Sequence, residues 1–135
     1  MMEYALSDHP LQGKKVLVTA GPTQESLDPV RFLTNHSSGK MGYSIARAAF
    51  VLGAQVRLIH GPTSLKPVPY IINQSITSAQ NLFECVKRHH THYDYIIMSA
   101  AVADYTPVET STEKIKKNDN ELILKLKKNP DILDI

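Results

Sequence analysis

The sequence has little of what marks secreted, membrane-embedded or nucleic-acid-binding proteins. It holds one cysteine, Cys85, among 135 residues, which excludes an intramolecular disulfide and predicts a reducing, cytoplasmic compartment. No run approaches the roughly 18 apolar residues that a membrane helix needs, and the first residues lack the basic start and apolar stretch of a secretory signal. A net charge of only +2 excludes a strongly basic nucleic-acid binder, so neither nucleic acid nor membrane is an expected partner.

The composition instead predicts one ordinary folded domain. Hydrophobic residues make up 42% of the chain and charged residues 21%, which is enough for a core and too little charge for a disordered tract. The length fits a single domain of about 100–150 residues. Residues 1–13 are polar and without periodicity, so we interpret them as a linker-like lead and residues 14–135 as the domain.

Short apolar runs alternate with helical patterns along this domain. Strands are predicted at 15–20, 55–60, 70–74 and 93–100. A helix is predicted at 39–52, and a second one follows a capping box that begins at Thr77 and ends at Gln80. The order strand, helix, strand, strand, helix, strand is typical of an α/β, Rossmann-like fold, a mostly parallel sheet flanked by helices.

Three finer expectations follow from local patterns. The first helix is expected to bury a stripe of five apolar residues, namely Met41, Ile45, Ala48, Ala49 and Leu52. The alternation of leucines at 121–127 predicts a half-exposed strand. Asn129, Pro130 and Asp131 have the order of an N-cap, a first helical proline and an acidic second position, so they predict the start of another helix.

The connection after the first strand is unusually long. About eighteen residues separate Ala20 from the helix at Gly39, whereas about 2–6 are usual in α/β units. Such loops are usually functional or disordered, and Val30, Phe32 and Leu33 are expected to anchor this one to the core. The loop follows the carboxyl end of a parallel strand, which is where ligands bind in this architecture.

The end of that connection, NHSSGKMG at 35–42, is the sharpest motif. Backbone N–H groups at a helix N-terminus bind anions, and small residues allow a phosphate to approach. It is not a Walker A loop, since Thr34 stands where a glycine is needed and Met41 replaces the hydroxyl residue that binds the metal ion, and the GxGxxG fingerprint is also missing. A plain N-cap with a solvated Lys40 is the alternative interpretation.

Other patterns leave two interpretations open. The small residues of SAAVADY, at 99–105, permit close approach of a ring or ribose, with Asp104 as an acceptor or cation ligand, or they reflect tight packing. The segment EKIKK, at 113–117, is either a solvated loop or a set of lysines that neutralise a polyphosphate. Three histidines at 89, 90 and 92 lie at a helix end that favours cations, so a metal site there is not expected.

The motifs VLVTAGPTQESLDPVRFLTNHSSGKMGYSIA, SAAVADY, EKIKK and KNPDI occur in one order, and together they resemble phosphopantothenate–cysteine ligase. In many bacteria this enzyme is the C-terminal half of a bifunctional coenzyme A biosynthesis protein. The resemblance implies that a nucleotide-binding domain joins 4′-phosphopantothenate to L-cysteine through an acyl-cytidylate formed with CTP and Mg²⁺. It also implies a homodimer of the full-length enzyme, and no flavin, because the decarboxylase half is absent.

The resemblance also implies roles for individual residues. Asn35 matches the asparagine that handles the acyl-cytidylate, and Arg31 matches an arginine of the second half-reaction. The residues that match nucleotide contacts are Gly21, Ser37, Ser38, Gly39, Lys40, Met98, Ser99, Ala100, Asp104, Lys114, Pro130, Asp131, Ile132 and Leu133. Metal ligands are not assigned.

The resemblance has one departure. Family members continue for a substantial further segment, so this domain is expected to be incomplete at its C-terminus. CTP is preferred over ATP because the resemblance is closest to bacterial members. Two other functions stay open: an NAD(P)-dependent Rossmann-like oxidoreductase, against which the missing GxGxxG argues, and a non-catalytic nucleotide-binding module.

Overall fold

The computed structural model describes residues 9–115 and 121–134. Its strands in chain order are β1 (Lys15–Ala20), β2 (Gln24–Ser26), β3 (Phe32–Thr34), β4 (Gln55–His60), β5 (Ile72–Ser75), β6 (Tyr95–Met98), β7 (Tyr105–Pro107) and β8 (Leu126–Lys128). The helices are α1 (Lys40–Val51) and α2 (Ala79–His89), and 3-10 turns cover His90–His92 and Ile132–Asp134. None of the helices in this part of the chain is long and apolar enough to cross a membrane.

A four-stranded parallel sheet in the order β5-β4-β1-β6 forms the centre of the molecule. Helix α1 covers one face, where Val16, Val18 and Leu58 pack in the core. Helix α2 covers the other face, against Leu17 and Ile59. Since both faces of β1 are covered, its apolar run is nearly continuous, as in other buried parallel strands. The predicted α/β, Rossmann-like class is confirmed. The strands predicted at 15–20 and 55–60 have those bounds, whereas those predicted at 70–74 and 93–100 are found at 72–75 and 95–98.

The predicted buried stripe of α1 is confirmed only in part, since Ala49 is buried and Ile45 packs against the core. Met41 is 72% exposed and Ala48 is exposed, whereas the inward face is formed by Gly42, Tyr43, Ala46 and Ala49. The cause is Gly42, where a Cβ atom would come within 2.3 Å of the Cβ of Ala20. The missing side chain lets the helix approach β1 along the glycine face, which turns Met41 outward.

The long connection folds into an antiparallel hairpin, in which Gln24 pairs with Thr34. The expectation that Val30 and Phe32 anchor it is wrong, since they are 59% and 46% exposed. The hairpin is instead anchored by four buried residues, of which only the first is apolar: Leu27, Thr23, Glu25 and Asp28. Their polar groups are satisfied by partners far along the chain, which local hydrophobicity does not report.

The predicted capping box lies one residue too early. Ser78 is the N-cap of α2: its Oγ accepts a hydrogen bond from Asn81 N, and Ser78 N donates to Asn81 Oδ1, both at 3.1 Å. Thr77 instead contributes its carbonyl, which accepts from Gln24 N at 2.7 Å as β2 packs beside the helix start. The hairpin contact therefore shifts the cap to the next hydroxyl residue.

The C-terminal expectations are also corrected. Of the predicted strand at 121–127, only its last residues belong to β8, which pairs with β7, while Ile123 is 84% exposed. Asn129 does not cap a helix, because its amide donates to Ala103 O at 2.8 Å. Asp131 Oδ1 accepts from Leu133 N at 3.0 Å and begins a single 3-10 turn.

Residues 1–8 of the predicted N-terminal lead lie outside the described residues. The rest of the lead contacts the turn between α1 and β4, where Leu11 N donates to Leu52 O at 2.9 Å. Gly53 occupies that turn with φ of +102°, a conformation that favours glycine. It lies just past the helix end, as its place in the sequence predicts.

Candidate functional site

The carboxyl ends of the parallel strands form one edge of the sheet. Just past this edge, the chain that leaves β1 and the chain that leaves β6 run side by side and in parallel, with a bridge between Pro22 and Ala101. Ala101 N donates to Gly21 O at 2.8 Å, and Thr23 N donates to Ala101 O at 3.3 Å. The fold therefore places the small-residue stretch after β6 directly beside the long connection.

Two buried threonines hold this arrangement. Thr19 Oγ1 accepts from Ser99 N at 3.1 Å and from Ala100 N at 3.2 Å. Thr23 Oγ1 accepts from Ala103 N at 3.0 Å. Both threonines are fully buried, so sequence reasoning missed them as site residues, although a hydroxyl inside the apolar run KVLVTA was a visible signal. Buried hydroxyls need partners, and here the partners are backbone N–H groups of the candidate site.

Glycines bring three chain segments into contact at the same edge. Gly21 and Gly39 have φ of +77° and +81°, and a Cβ at Gly39 would lie 3.5 Å from the N and Cα atoms of Gly21. Gly61, just after β4, is closer still, since a Cβ there would lie 1.5 Å from Pro22 O. The turn before α1 therefore packs directly on the turn after β1, and Gly61 supports both.

The start of α1 presents its N–H groups at this edge. Gly39 is the N-cap, and within the described part of the chain no side chain forms the usual cap bond. Ser38 Oγ accepts only from Lys40 N, at 3.3 Å, and Ser38 O accepts from the hydroxyl of Thr63 at 3.0 Å. Ser37, Ser38 and Lys40 are exposed, so an anion has access to the partial positive charge of the helix N-terminus.

Asn35 joins the connection to the stretch after β6. Its Nδ2 donates to Val102 O at 3.2 Å. A primary amide carries two hydrogens and a carbonyl oxygen, so this bond orients the side chain and leaves one N–H and the oxygen for a ligand. The residue is exposed and borders the chain segment that lines the cavity described next.

A cavity of about 580 Å³ lies beside the end of β6, within the usual size range of small-molecule sites. It brings together many of the residues predicted to bind nucleotide. Its lining is Met98, Ala100, Val102, Ala103, Asp104, Lys128, Asn129, Pro130, Asp131, Ile132, Leu133 and Asp134. We call this the β6 cavity.

Other predicted residues lie outside the β6 cavity. Lys40 lines a smaller cleft of about 240 Å³ on another side of α1, together with Arg47 and Lys66. Lys114 is exposed and lines neither space, and Lys116 and Lys117 lie outside the described residues. A larger cleft of about 810 Å³ separates β2 and the start of α2 from β7 and β8, and it contains only Pro130 of the predicted nucleotide contacts.

Arg31 lies on the hairpin rather than in the β6 cavity. Its Nε and Nη2 atoms donate to Asp28 Oδ2 at 3.2 and 3.0 Å, and Nη2 also donates to Ile115 O at 2.6 Å. The pKa of Asp28 is held well below its usual range, first by the backbone N–H of Ile115 and further by the N–H groups of Val30 and Arg31 and the guanidinium, against the opposing effect of burial. Asp28 is therefore a carboxylate at neutral pH.

Within residues 9–115 and 121–134, no three His, Cys, Asp or Glu side chains converge as a metal site. Burial, with the nearby Arg57, Arg88 and His92 charges, lowers the pKa of His89. Cys85 lies on the buried face of α2, and burial raises the pKa of its thiol. This thiol is not an activated nucleophile.

The comparison with protein families decides the relationship. Residues 11–135 match the family described as DNA/pantothenate metabolism flavoprotein C-terminal domain. The chain belongs to this family.

Individual members of the family give the extent of the likeness. The coenzyme A biosynthesis bifunctional protein CoaBC of Vibrio vulnificus (strain YJ016) is 47% identical over an alignment of 136 positions, which covers 98% of this chain and 34% of that protein. A crystal structure of the C-terminal domain of a CoaBC protein is 45% identical, with a TM-score of 0.80, covering 93% of this chain and 58% of the other. The chain thus spans about a third of the length of its curated relatives.

A more distant structure shows the fold alone. A mutant of Cab2 in complex with phosphopantothenate-cysteine is 20% identical, with a TM-score of 0.79, and the match covers 98% of this chain and 63% of that chain. Both matches share the α/β fold described above. The resemblance inferred from the motifs, to the C-terminal half of the bifunctional coenzyme A biosynthesis protein, is confirmed by the CoaBC relatives.

Proposed function

We propose that this chain contributes the nucleotide-binding part of a phosphopantothenate–cysteine ligase that uses CTP in coenzyme A biosynthesis, in the cytoplasm. The observation that carries the proposal is the β6 cavity. Met98 and Ala100 line it together with residues 130–133, although about thirty residues separate the two segments in sequence. Family membership and the accessible N-terminus of α1 support it further.

The proposed reaction has two steps. The carboxylate of 4′-phosphopantothenate attacks the α-phosphorus of CTP, so that a C–O–P bond forms and the bond to pyrophosphate breaks. The amine of L-cysteine then attacks the acyl carbon, an amide bond forms, CMP leaves with the former carboxylate oxygen, and the amine loses a proton. The activation is needed because a free carboxylate is a poor acyl donor, whereas CMP is a good leaving group.

In this proposal each region has a part in the chemistry. The β6 cavity would hold the nucleoside, and the N–H groups at the start of α1 would bind phosphate oxygens. Asn35 would donate its remaining N–H to the acyl carbonyl oxygen as negative charge develops there. Arg31 and Lys114, which lie outside the β6 cavity, would add positive charge for the phosphate groups of the substrates.

We propose that the β6 cavity also takes the magnesium ion that accompanies the triphosphate. Asp104, Asp131 and Asp134 line it, and Mg²⁺ prefers one or two carboxylates together with phosphate oxygens and water. When bound, Mg²⁺ would offset the charge of the triphosphate. All three aspartates are exposed, and Asp131 Oδ1 already accepts from Leu133 N, which leaves Asp104 and Asp134 as the carboxylates without that bond.

Calorimetric titration of the chain separates this proposal from the oxidoreductase alternative. We expect heat of binding with CTP and Mg²⁺ and none with NADPH, because the phosphate-binding turn lacks the GxGxxG fingerprint. Exchanging Asp104 for asparagine is expected to weaken the CTP affinity in the presence of Mg²⁺. Binding of NADPH without CTP would refute the ligase proposal.

A kinetic comparison separates a complete catalyst from a nucleotide-binding module. Pyrophosphate release from CTP and 4′-phosphopantothenate is measured for this chain and for the full-length protein of the same reading frame, which we propose acts as a homodimer. The chain spans 58% of the solved CoaBC domain, so we expect release by the longer protein and little by this chain. Full activity of the short chain would show that it is a complete catalyst.

A further inference from the structure

The turn of the β2–β3 hairpin binds a second segment far along the sequence. Thr110 Oγ1 donates to Ser26 O at 3.3 Å, and Ser111 N donates to Leu27 O at 3.0 Å. Ile115 N donates to Asp28 Oδ2 at 2.9 Å. Residues 110–115, which include Lys114, thus follow the hairpin turn through hydrogen bonds at both ends of the segment.

One buried carboxylate lies at the centre of this contact. Asp28 Oδ1 accepts from the backbone N–H groups of Val30 and Arg31, at 2.8 and 2.7 Å. Oδ2 accepts from Ile115 N and from the guanidinium of Arg31. The Asp28 side chain is fully buried, whereas that of Arg31 is 38% exposed.

The two oxygens of Asp28 therefore have different tasks. Oδ1 closes the hairpin turn locally, as aspartates commonly do in turns. Oδ2 connects two elements 87 residues apart, and the return bond from Arg31 Nη2 to Ile115 O makes the connection reciprocal. The three hydrogen bonds that Oδ2 accepts, one from Ile115 N and two from Arg31, all involve an ionised group and are of the stronger class.

Asp28 is connected to both cations proposed to act on the substrates, Arg31 and Lys114. Arg31 is held directly by Asp28, and Lys114 precedes the residue whose backbone binds the same carboxylate. A neutral residue at position 28 would release both, since the Ile115 N–H and the guanidinium would lose their shared acceptor. The simpler alternative is that Asp28 only stabilises the fold.

We propose that Asp28 is a positioning residue, whose Oδ2 atom fixes the segment that carries Lys114 against the turn that carries Arg31, so that both cations are presented to the phosphate-bearing substrates. The proposal rests on the proposed function for its ligand. What it adds is that the contribution of Lys114 to binding depends on Asp28.

A double-mutant cycle on CTP affinity tests this dependence. Asp28→Asn keeps a turn acceptor but removes the charge, and Lys114→Ala removes the cation. Calorimetry with CTP and Mg²⁺ is made on the wild type, both single variants and the double variant. We expect Asp28→Asn to weaken CTP binding about tenfold, the size of one charge-assisted hydrogen bond, and to have little further effect once Lys114 is alanine.

The control and a structural readout accompany the cycle. Glu109→Gln neutralises an exposed carboxylate of the same region and is expected to leave the CTP affinity unchanged. Amide hydrogen exchange at Ile115 is expected to be slow in the wild type and fast in Asp28→Asn. If Asp28→Asn does not fold, Asp28→Ser, which still caps the turn but cannot reach Ile115, replaces it in the cycle.

The outcomes distinguish this proposal from the proposed function. The wild type could bind CTP while Asp28→Asn lowers the CTP affinity by the same factor whether residue 114 is lysine or alanine. That result would overturn the positioning role and leave the proposed function standing. Unchanged protection of the Ile115 amide in Asp28→Asn would overturn the positioning role as well. A wild-type chain that binds NADPH but not CTP would overturn the proposed function, and the positioning role with it.

Discussion

Exchanging Asn35 for alanine is expected to lower product formation in the full-length ligase about a hundredfold or more, the usual cost of removing one donor to a developing oxyanion. CTP binding and the fold are expected to remain, because the side chain is exposed and makes one hydrogen bond, to Val102 O. Loss of turnover without loss of binding is the mark of a group that acts on the reacting atoms.

The measurement follows the product 4′-phosphopantothenoyl-cysteine and pyrophosphate separately in the same reaction. Gln55→Ala is a suitable control, since it removes an exposed amide at the amino end of β4, the opposite edge of the sheet. We expect the control to match the wild type. Normal turnover by Asn35→Ala, in a preparation whose wild type is active, would refute the role assigned to Asn35.

Exchanging Gly61 for alanine is expected to reduce the free energy of unfolding by about 3 kcal/mol, the upper part of the usual range for overpacking. The new Cβ would lie 1.5 Å from Pro22 O, and both groups belong to backbone that the sheet holds in place. Such a loss is large relative to the roughly 5–15 kcal/mol of a typical domain.

Chemical denaturation of the two proteins measures this difference. Gly13→Ala is a control without a clash, because a Cβ added there would meet no atom within 4 Å. Its φ of +77° costs about 1 kcal/mol of backbone strain, a cost that Gly61→Ala does not carry because the φ of Gly61 is not in the left-handed region. A Gly61→Ala variant no less stable than Gly13→Ala would show that the segment after β1 yields easily and that Gly61 does not support the site.

The sheet was predictable from sequence because its strands obey a local rule. β1 and β4 are short apolar runs covered on both faces, and such runs alternating with helices specify the fold class. The interior of the long connection was not predictable in this way. Asp28 and Glu25 are buried although they are charged, since their partners, Ile115 N and Ala79 N, come from remote segments that periodicity does not reveal.

In the candidate site, too, the features set by local sequence were predictable and those set by remote contacts were not. The start of α1 was predictable from NHSSGK, because the chemistry of a helix N-terminus is local. The inward face of α1 was not, since the close approach of Gly42 to Ala20 outweighs hydrophobicity. The meeting of residues 98–104 with 130–133 in the β6 cavity was implied only by the family resemblance, because spacing alone gives no reason for these segments to converge.

The most direct test of nucleotide binding at this edge of the sheet is a map of amide chemical shifts as CTP and Mg²⁺ are added to the ¹⁵N-labelled chain. We predict that the largest shifts fall on the β6 cavity and the start of α1, at Ala100, Asp104, Ile132, Gly39 and Lys40. Shifts confined to the larger cleft beside α2, at Ser26, Ser78, Asn81 and Thr110, would contradict the proposed site.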